Sequence, residues 1–341
     1  MRAVTFQGPK RIEVRDMPTP DIEEPTDAIL KVATAAICGS DLHLYHGRVE
    51  QEPGFIIGHE IVGIVEEVGP QVQIFKPGDR VGVGLGPVCG RCFYCRHRLS
   101  SQCVHRNVFG FGDIPGGQAE YFRVPFVDTT AELLPESLPD EEAILVTDII
   151  PTGYFCAENG GIQPGDTVAV IGCGPIGLFT LISAQLFGPS LVLAIDNVPE
   201  RLELARKKGA VPVNFDREDP VAKIKELTDG RGADVVCEAV GSETSLKSTF
   251  YMVRRGGTIS VAGVFVERHF DFPIGRAFDR GLTFRIGMCN VKEYMARLFP
   301  LIQRRRVDPS GVVTHVLPLE EAPRGYDIFA NRKAIKVLLK P

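Results

Sequence analysis

The sequence lacks several features that would point to particular classes of protein. It has no surplus of positive charge, because 38 lysines and arginines stand against 43 aspartates and glutamates, giving a formal net charge of −5. Such a balance exerts no long-range attraction on nucleic acid or an anionic membrane, so we expect neither as a partner and expect any phosphate to be bound locally. No internal repeat and no low-complexity tract is present, so a repeat architecture is not expected.

Targeting and membrane signals are also missing. The first residues, MRAVTFQGPKRIEV, have no apolar core ahead of a small-residue cleavage site, so no secretory signal is predicted and a cytoplasmic location is expected. The uncharged stretch from Thr167 to Ile195 contains several glycines and two prolines, which favours two buried strands flanking a helix over a membrane span. Nine cysteines, an odd number with four close together, favour metal ligation over disulfides in a reducing compartment.

Two kinds of pattern divide the 341 residues, a length that suits about two domains. From residue 166 onward, six apolar runs alternate with helical patterns and predict an α/β region with a doubly wound parallel sheet. Those runs are TVAVIG, LVLAID, VPVNF, ADVVCEAV, GTISVAGV and LTFRIGM. The first 150 residues show short runs separated by Gly and Pro turns and predict a mostly β domain, and after about residue 289 the pattern returns to short strands ending in AIKVLLKP.

A glycine-rich turn follows the first strand of the second region. Gly172, Gly174 and Gly177 form G-x-G-x-x-G at the head of a predicted helix, where glycine lets the backbone turn sharply and approach a pyrophosphate. Asp196 ends the next predicted strand, nineteen residues after Gly177, where a carboxylate can accept hydrogen bonds from a ribose and would repel a 2′-phosphate. The combination predicts a dinucleotide site that favours NAD over NADP.

The strongest metal signal is the segment PVCGRCFYCRHRLSSQCVH. Its cysteines have the spacing C-x2-C-x2-C-x7-C and are Cys89, Cys92, Cys95 and Cys103. Zinc and iron–sulfur clusters both use four thiolates, but bacterial ferredoxins end the pattern with C-x3-C-P, whereas Val104 follows a spacing of seven here. Four thiolates leave no open coordination position, so a metal at this place would be structural.

Candidate ligands for a second metal are scattered along the chain. Cys38 begins CGSDLH, His59 and Glu60 lie in GHEIVGIVEEVGPQV, and Asp148 lies in TDIIPTG. Each has an ordinary structural explanation when taken alone. Together with the four-cysteine segment and VIGCGPIG, in this order and over nearly the whole chain, these motifs resemble the zinc-dependent medium-chain alcohol dehydrogenases. DIIPTGY is most similar to the formaldehyde-dehydrogenase-like branch.

The resemblance implies a particular domain order. A GroES-like, mostly β catalytic domain would take residues 1–150, with a structural zinc lobe at about 87–105. A Rossmann domain that binds NAD would take residues 151–289, and residues 290–341 would return to the catalytic domain. The family also implies a homo-oligomer, a tetramer rather than a dimer.

The resemblance assigns roles to individual residues as well. It implies that Cys38, His59 and Asp148 hold a catalytic zinc, that Glu60 can enter its coordination shell, and that the four lobe cysteines hold a second, structural zinc. Ser40 would touch the substrate oxygen, and His43 would pass its proton towards solvent. The implied dinucleotide contacts are the three glycines of the turn and Ile176, Asp196, Arg201, Val264, Gly287, Met288 and Lys336.

The resulting expectation is an NAD-dependent zinc alcohol dehydrogenase that interconverts a small alcohol, or an aldehyde hydrate, and its oxidised product. A polyol or amino-alcohol (threonine-type) dehydrogenase with the same machinery is an alternative. Two further classes are a zinc-free quinone or enone reductase and a non-catalytic protein that binds zinc and nucleotide. The joint presence of Cys38, His59 and Asp148 argues against both of them.

Overall fold

The computed structural model describes residues 1–341, which form sixteen strands and twelve α-helices. The strands are β1 (Arg2–Phe6), β2 (Ile12–Asp16), β3 (Ala28–Ile37), β4 (Phe55–Ile56), β5 (Glu60–Val68), β6 (Arg80–Val83), β7 (Tyr121–Val124), β8 (Ala131–Leu133), β9 (Thr167–Ile171), β10 (Leu191–Asp196), β11 (Val211–Asn214), β12 (Ala233–Glu238), β13 (Val253–Val261), β14 (Thr283–Ile286), β15 (Val313–Pro318) and β16 (Lys336–Lys340). The helices are α1 (Asp41–Tyr45), α2 (Phe93–Arg96), α3 (Val127–Thr130), α4 (Asp140–Ala143), α5 (Ile149–Gly160), α6 (Pro175–Ala184), α7 (Pro199–Lys207), α8 (Pro220–Glu226), α9 (Glu243–Met252), α10 (Ile274–Asp279), α11 (Val291–Gln303) and α12 (Ala322–Ala330).

The chain forms two compact units. Unit 1 contains Met1–Pro151, Asn290–Arg305 and Val312–Pro341, and unit 2 contains Thr152–Cys289 and Arg306–Gly311. The boundaries expected from the sequence lay at residues 150 and 289. The short segment at residues 306–311 differs from that expectation, because it belongs to unit 2 although it lies within the third predicted segment.

Contacts with α7 and the residues after it explain this short excursion. Lys208 Nζ donates to Asp308 Oδ2 at 2.5 Å and to Ser310 Oγ at 2.9 Å. A Cβ atom built on Gly311 would lie 3.1 Å from the Leu204 side chain. An ion pair, a hydrogen bond and close packing therefore hold the segment to unit 2.

Unit 1 is built around a seven-stranded sheet. Its strand order is β15-β16-β3-β5-β6-β8, with β7 also pairing with β3, and a separate three-stranded sheet has the order β2-β1-β4. All neighbours in both sheets are antiparallel except β15 and β16. Side chains from most of these strands share one apolar core, so the mostly β character predicted for the first 150 residues is observed.

Unit 2 is a six-stranded parallel sheet with the order β11-β10-β9-β12-β13-β14. This order, in which the first strand β9 is central, is that of dinucleotide-binding doubly wound folds. The predicted α/β class is confirmed, and the uncharged stretch from Thr167 to Ile195 forms β9, α6 and part of β10 as predicted. No helix combines the length and apolar content needed to cross a bilayer.

The short strands predicted after residue 289 are present as β15 and β16, but this region also contains two helices that the sequence interpretation did not name, α11 and α12. In α11 the buried residues Val291, Met295, Leu298 and Ile302 recur every three or four positions, which is the period of one helix face. Pro300 lies inside the same helix. A proline in a short segment argues against a helix, and it concealed the helical period here.

Candidate metal centres and a dinucleotide turn

Four candidate ligand residues meet in the interior of unit 1. One donor atom from each of Cys38, His59, Glu60 and Asp148 lies within 4.8 Å of the others, and all four residues are buried. Cys38 Sγ lies 3.3 Å from Asp148 Oδ2, and His59 Nε2 lies 3.5 Å from the same oxygen. We call this group the buried ligand cluster.

Strand pairing explains how residues so distant in sequence converge. The antiparallel register of β3 with β5 places Ala36 opposite Glu60, so the end of β3 and the start of β5 lie side by side. Cys38 follows β3 directly, and the histidine of the cluster precedes β5 directly. Asp148 follows a buried 3-10 turn at Ile144–Thr147 and directly precedes α5.

Asp41 links two members of the cluster, and sequence reasoning missed this role. Its Oδ2 accepts a hydrogen bond from the Cys38 backbone N–H at 2.9 Å, and its Oδ1 lies 3.3 Å from His59 Nδ1. Gln118 Nε2 approaches Asp41 Oδ2 to 3.4 Å, and Tyr326 Oη donates to Gln118 Oε1 at 2.9 Å. A carboxylate on Nδ1 leaves the opposite nitrogen, Nε2, to face the ligand cluster.

The pKa shifts show that negative charge dominates the cluster. Burial lowers the pKa of His59, but the Asp41 carboxylate, the Cys38 thiol and Asp148 act in the opposite direction, and the net result is a pKa well above the usual value. Burial together with Asp148 raises the pKa of Cys38. Anionic donors concentrated in a dry site need a cation for balance.

Glu60 forms a fully buried ion pair with Lys336 through its Oε1, while its Oε2 has no hydrogen-bond partner. Burial raises the pKa of Glu60 to about 7 despite the opposing effect of Lys336. The sequence predicts a pyrophosphate contact for Lys336, but the structure gives its ammonium group a carboxylate partner in the interior of unit 1. The reason is the pairing of β16 with β3, which places Val337 opposite Ile37.

The two residues predicted to move a proton lie beside this cluster or on the adjoining helix. Ser40 immediately precedes α1, its side chain caps no backbone group, and its Oγ lies 3.3 Å from His59 Nε2. His43 is a half-buried residue of α1. The structure therefore places the Ser40 hydroxyl at the ligand cluster.

The four lobe cysteines form a second group of donors. The Sγ atoms of Cys89, Cys92, Cys95 and Cys103 all lie within 4.8 Å of one another, and none is in a disulfide. Cys92 caps α2 and accepts a hydrogen bond from the Cys95 backbone N–H at 3.5 Å. Cys103 Sγ accepts hydrogen bonds from the backbone of Cys89 and His105, each at 3.4 Å.

Backbone N–H groups favour the charged form of Cys92, whereas burial raises the pKa of Cys95 and Cys103. Backbone hydrogen bonds from Cys95 and Val104 lower the pKa of Cys92 to about 6. Thiolates are the form of cysteine that binds metal. Four sulfur donors within 4.8 Å of one another fit a tetrahedral metal with Zn–S distances of about 2.3 Å.

The glycine-rich turn of unit 2 depends on close backbone contacts. Gly172 has φ +87°, a conformation that side chains disfavour. A Cβ atom on Gly177 would lie 1.7 Å from the carbonyl oxygen of Gly172, so no larger residue fits without opening the turn. Gly174 caps α6, whose first residue is Pro175, and the first N–H groups of such a helix are free to face an anion.

Asp196 lies at the carboxyl end of β10, where the sequence predicts a ribose contact. Its Oδ2 accepts from the Cys173 backbone N–H at 2.7 Å, and its Oδ1 accepts from the backbone N–H groups of Asn197 and Val198 at 2.7 and 2.9 Å. Three backbone donors fix the position of the carboxylate beside the glycine-rich turn. Arg201 Nη1 lies 3.8 Å from the position of a Cβ atom on Gly174, so this guanidinium also borders the turn.

The other predicted dinucleotide contacts in unit 2 share the same edge of the sheet. Carboxyl ends of parallel strands meet at one edge, and ligands of doubly wound folds bind there. Ile176 lies in the first turn of α6, which begins at that edge. Val264 follows β13, and Gly287 and Met288 follow β14. All three are exposed.

Two protein-family models match the chain. The one described as "Alcohol dehydrogenase GroES-like domain" matches residues 24–135. The one described as "Zinc-binding dehydrogenase" matches residues 175–304. The first match contains the four-cysteine lobe and three members of the buried ligand cluster, and the second begins within the glycine-rich turn, at Pro175.

Individual relatives match over the full length. An uncharacterised zinc-type alcohol dehydrogenase-like protein AdhB of Bacillus subtilis is 43% identical, with 100% of each chain covered. The solved structure of alcohol dehydrogenase TADH from Thermus sp. ATN1 is 44% identical, with a TM-score of 0.94 over 100% of this chain and 99% of that one.

The branch suggested by DIIPTGY is represented by a more distant relative. The glutathione-independent formaldehyde dehydrogenase of Pseudomonas aeruginosa is 31% identical over 100% of this chain and 97% of its own length. This value lies below the identities of the zinc-type relatives above, so the expected nearness to that branch does not hold.

Proposed function

The chain belongs to the zinc-dependent medium-chain alcohol dehydrogenases, and on that premise we propose that it transfers a hydride reversibly between a small alcohol and NAD. The observation that carries the proposal is the buried ligand cluster, in which a thiol, an imidazole and a carboxylate from three separate parts of unit 1 converge. Zinc-dependent alcohol oxidoreduction is the activity of the family. The cofactor NAD, two zinc ions per chain and the substrate class are our proposals.

The donors of the buried ligand cluster fit a zinc ion. Cys38, His59 and Asp148 supply the sulfur, nitrogen and oxygen ligands that zinc accepts, and three protein ligands leave one position for a substrate oxygen. The Glu60 Oε2 atom, buried without a hydrogen-bond partner, is a further oxygen atom that can bind a cation. Zinc held there would lower the pKa of a bound hydroxyl group, as it lowers that of water from about 15.7 to about 7.

The protein's own side chains then handle the substrate proton. The Ser40 Oγ atom, 3.3 Å from His59 Nε2, is placed to accept a hydrogen bond from a hydroxyl group bound at the cluster. His43 lies three residues further along on α1, and an imidazole is a side chain that can relay a proton near neutral pH. Asp41 acts through His59 and Cys38 by holding both in position.

Support for NAD comes from the Asp196 carboxylate. Its three backbone hydrogen bonds hold it at the rim of the glycine-rich turn, where it can accept hydrogen bonds from ribose hydroxyls and would repel a 2′-phosphate. The Arg201 guanidinium near the same turn is a donor for the adenosine end of the cofactor.

We further propose a homo-oligomer, a tetramer as the family resemblance implies. In unit 2, β14 is the last strand of its sheet, so one side of it offers unpaired backbone groups. Ile274 and Phe278 on α10 are 69% and 88% exposed, and they lie four residues apart on one helix face. An open strand edge and exposed apolar side chains favour association with a second copy.

The nine free thiols support a reducing, cytoplasmic location.

The test combines metal analysis with kinetics. We expect two zinc ions per chain and faster turnover with NAD than with NADP across a series of primary, secondary and polyhydroxy alcohols, followed by absorbance of the reduced cofactor. Cys38→Ala should lose one zinc ion and all turnover, whereas Cys103→Ala should lose the other zinc ion and lower the melting temperature. Full activity in Cys38→Ala would refute the proposed zinc centre at the buried ligand cluster. Preference for NADP over NAD would refute the proposed role of Asp196 in selecting NAD.

A further inference from the structure

A cavity of about 650 Å³ in unit 2 is lined almost entirely by cations. We call it the basic cleft, and its charged residues are Lys225, Arg231, Arg254, Arg255, Arg276 and Arg280. Asp279 is the single acid among the lining residues. The chain as a whole carries a net charge of −5, so this local concentration runs against the overall balance.

The basic cleft lies at the edge of the sheet opposite the glycine-rich turn. Arg231 precedes β12, Arg254 and Arg255 are the second and third residues of β13, and Arg280 precedes β14. These positions are at the amino ends of parallel strands, whereas Gly172 follows the carboxyl end of β9. The cleft is therefore separate from the predicted dinucleotide site.

Internal hydrogen bonds hold three of the guanidinium groups in place. Arg276 Nε and Arg280 Nη1 both donate to the Phe250 carbonyl oxygen, at 3.1 and 2.7 Å, and Arg280 Nη2 also donates to a carbonyl of β13. Arg254 pairs with the carboxylate of Asp234. These bonds fix the groups and leave further N–H donors on each guanidinium, which has five.

Two of the remaining cations have no comparable partners, whereas the third, Arg231, is attracted by the Asp234 carboxylate. The exposed side chains of Lys225 and Arg255 make no hydrogen bond and no ion pair within the chain. Burial, with repulsion from Arg276 and Arg255, lowers the pKa of Arg280. Unbalanced positive charge of this kind costs folding free energy that a bound anion would recover.

We propose that the basic cleft is a binding site for a small molecule that carries a chain of two or more linked phosphates. Guanidinium groups pair with phosphate oxygens through two parallel hydrogen bonds. Six cations around one cavity exceed what a single phosphate can contact, whereas a di- or triphosphate can bridge them. The volume lies in the range of small-molecule sites, about 300–1,000 Å³.

Calorimetric titration with inorganic tripolyphosphate tests the site on the purified zinc protein. Saturating NADH keeps the glycine-rich turn filled, and the same titration without NADH identifies any phosphate binding there. We expect one tripolyphosphate per chain with NADH present, with an affinity that falls as salt rises. Lys225→Ser/Arg255→Ser should weaken binding roughly a hundredfold, because each charged hydrogen-bonding group contributes roughly tenfold.

The matched control removes two positive charges elsewhere in the same unit. Arg268 and Lys207 are exposed and lie outside the basic cleft, so Arg268→Ser/Lys207→Ser should bind tripolyphosphate like the wild type. Both double variants change exposed residues, and melting temperatures no lower than that of the wild type would verify their folding. Equal weakening in both would show a general charge effect and overturn the proposal.

Further titrations define the chemical class of the ligand. Absence of binding to the wild type at millimolar tripolyphosphate, undiminished binding to Lys225→Ser/Arg255→Ser, or orthophosphate binding as tight as tripolyphosphate would each overturn the proposal. A nucleoside triphosphate is the second probe. Tighter binding than tripolyphosphate would identify a nucleotide as the source of the phosphates, and equal binding would assign recognition to the phosphate chain alone.

Discussion

Asp41 contacts two members of the buried ligand cluster at once. One of its oxygens accepts the Cys38 backbone N–H, and the other faces His59 Nδ1 at 3.3 Å. Because the carboxylate is fully buried, its charge is little screened by water. It therefore orients the imidazole and makes it a stronger ligand.

Replacing Asp41 by asparagine should weaken zinc binding at the buried ligand cluster by roughly 10- to 100-fold and leave the four-cysteine site loaded. Zinc content after dialysis against a graded chelator measures the effect: about one ion per chain should be lost at a chelator concentration the wild type withstands. Asp21→Asn, at an exposed position, is the control. Equal retention of both ions in the Asp41 variant would contradict the positioning role.

Glu238 is a buried carboxylate with unequal surroundings for its two oxygens. Its Oε1 accepts hydrogen bonds from the backbone of Val240 and Gly241, each at 2.9 Å, and from Ser245 Oγ at 2.7 Å. Its Oε2 has no partner. Burial raises the pKa of Glu238 in the folded protein, although these hydrogen bonds oppose the shift.

The sign of the resulting pH dependence follows from proton linkage. A pKa raised by folding means that the native state binds the proton more tightly, so the contribution of Glu238 to stability is complete below the unfolded pKa of about 4.3 and is lost as pH rises through the folded pKa. Relative to Glu238→Gln, the wild type should lose about 1.4 kcal/mol per unit of pKa difference. Denaturant unfolding from pH 4 to 8 checks this, with the exposed Glu218→Gln as control; parallel curves would contradict it.

Some single residues of the site could be predicted from sequence and others could not. Asp41 lies inside CGSDLH, three positions from Cys38, so that motif contains a signal for it. Gln118 and Tyr326 are 77 and 208 residues from their polar partners, and only the tertiary fold brings them together, with Tyr326 on α12. The same reason explains Lys336, whose partner Glu60 lies 276 residues away.

At the scale of elements, the turn between β9 and α6 has no space for a side chain at Gly177. A methyl group on Gly177 would enter the space of the Gly172 carbonyl oxygen, so the strand and the helix would have to separate. The N–H groups at the start of α6 would then lose the arrangement that suits a pyrophosphate.

Gly177→Ala should therefore weaken NADH binding at least tenfold, as a rough estimate from the loss of charged hydrogen bonds, while both zinc ions stay bound. Fluorescence titration with NADH and metal analysis measure the two properties. The control is Gly275→Ala in α10, where a Cβ atom would meet nothing within 4 Å. Unaltered NADH affinity in Gly177→Ala would show that this turn does not bind the cofactor.

Elements differed in how clearly the sequence indicated them. The central strands of unit 2, such as β9 with every residue buried, appear as short apolar runs because helices cover both faces of a parallel sheet. In α11 the apolar residues occupy one face only, and Pro300 interrupts the segment. Sequence periodicity alone therefore predicted the parallel sheet but missed the helices after residue 289.

At the scale of the whole molecule, the exposed face of α10 carries the oligomer proposal. Phe278→Asp places a charge where an apolar contact is expected, so the particle mass measured by light scattering should fall to that of a smaller species at micromolar concentration. Phe215, also in unit 2 and 48% exposed, provides the control Phe215→Asp. An unchanged mass for the Phe278 variant would remove α10 from the interface.

The position of β16 has a consequence for synthesis of the chain. This late strand lies in the interior of the seven-stranded sheet, between β15 and β3, and Lys340 Nζ donates to Thr34 Oγ1 at 2.6 Å across 306 residues. During translation, the side of β3 that will pair with β16 stays open until about 300 further residues have been added. An open apolar strand invites wrong pairing, so this enzyme should depend on chaperones for its folding yield more than its native stability suggests.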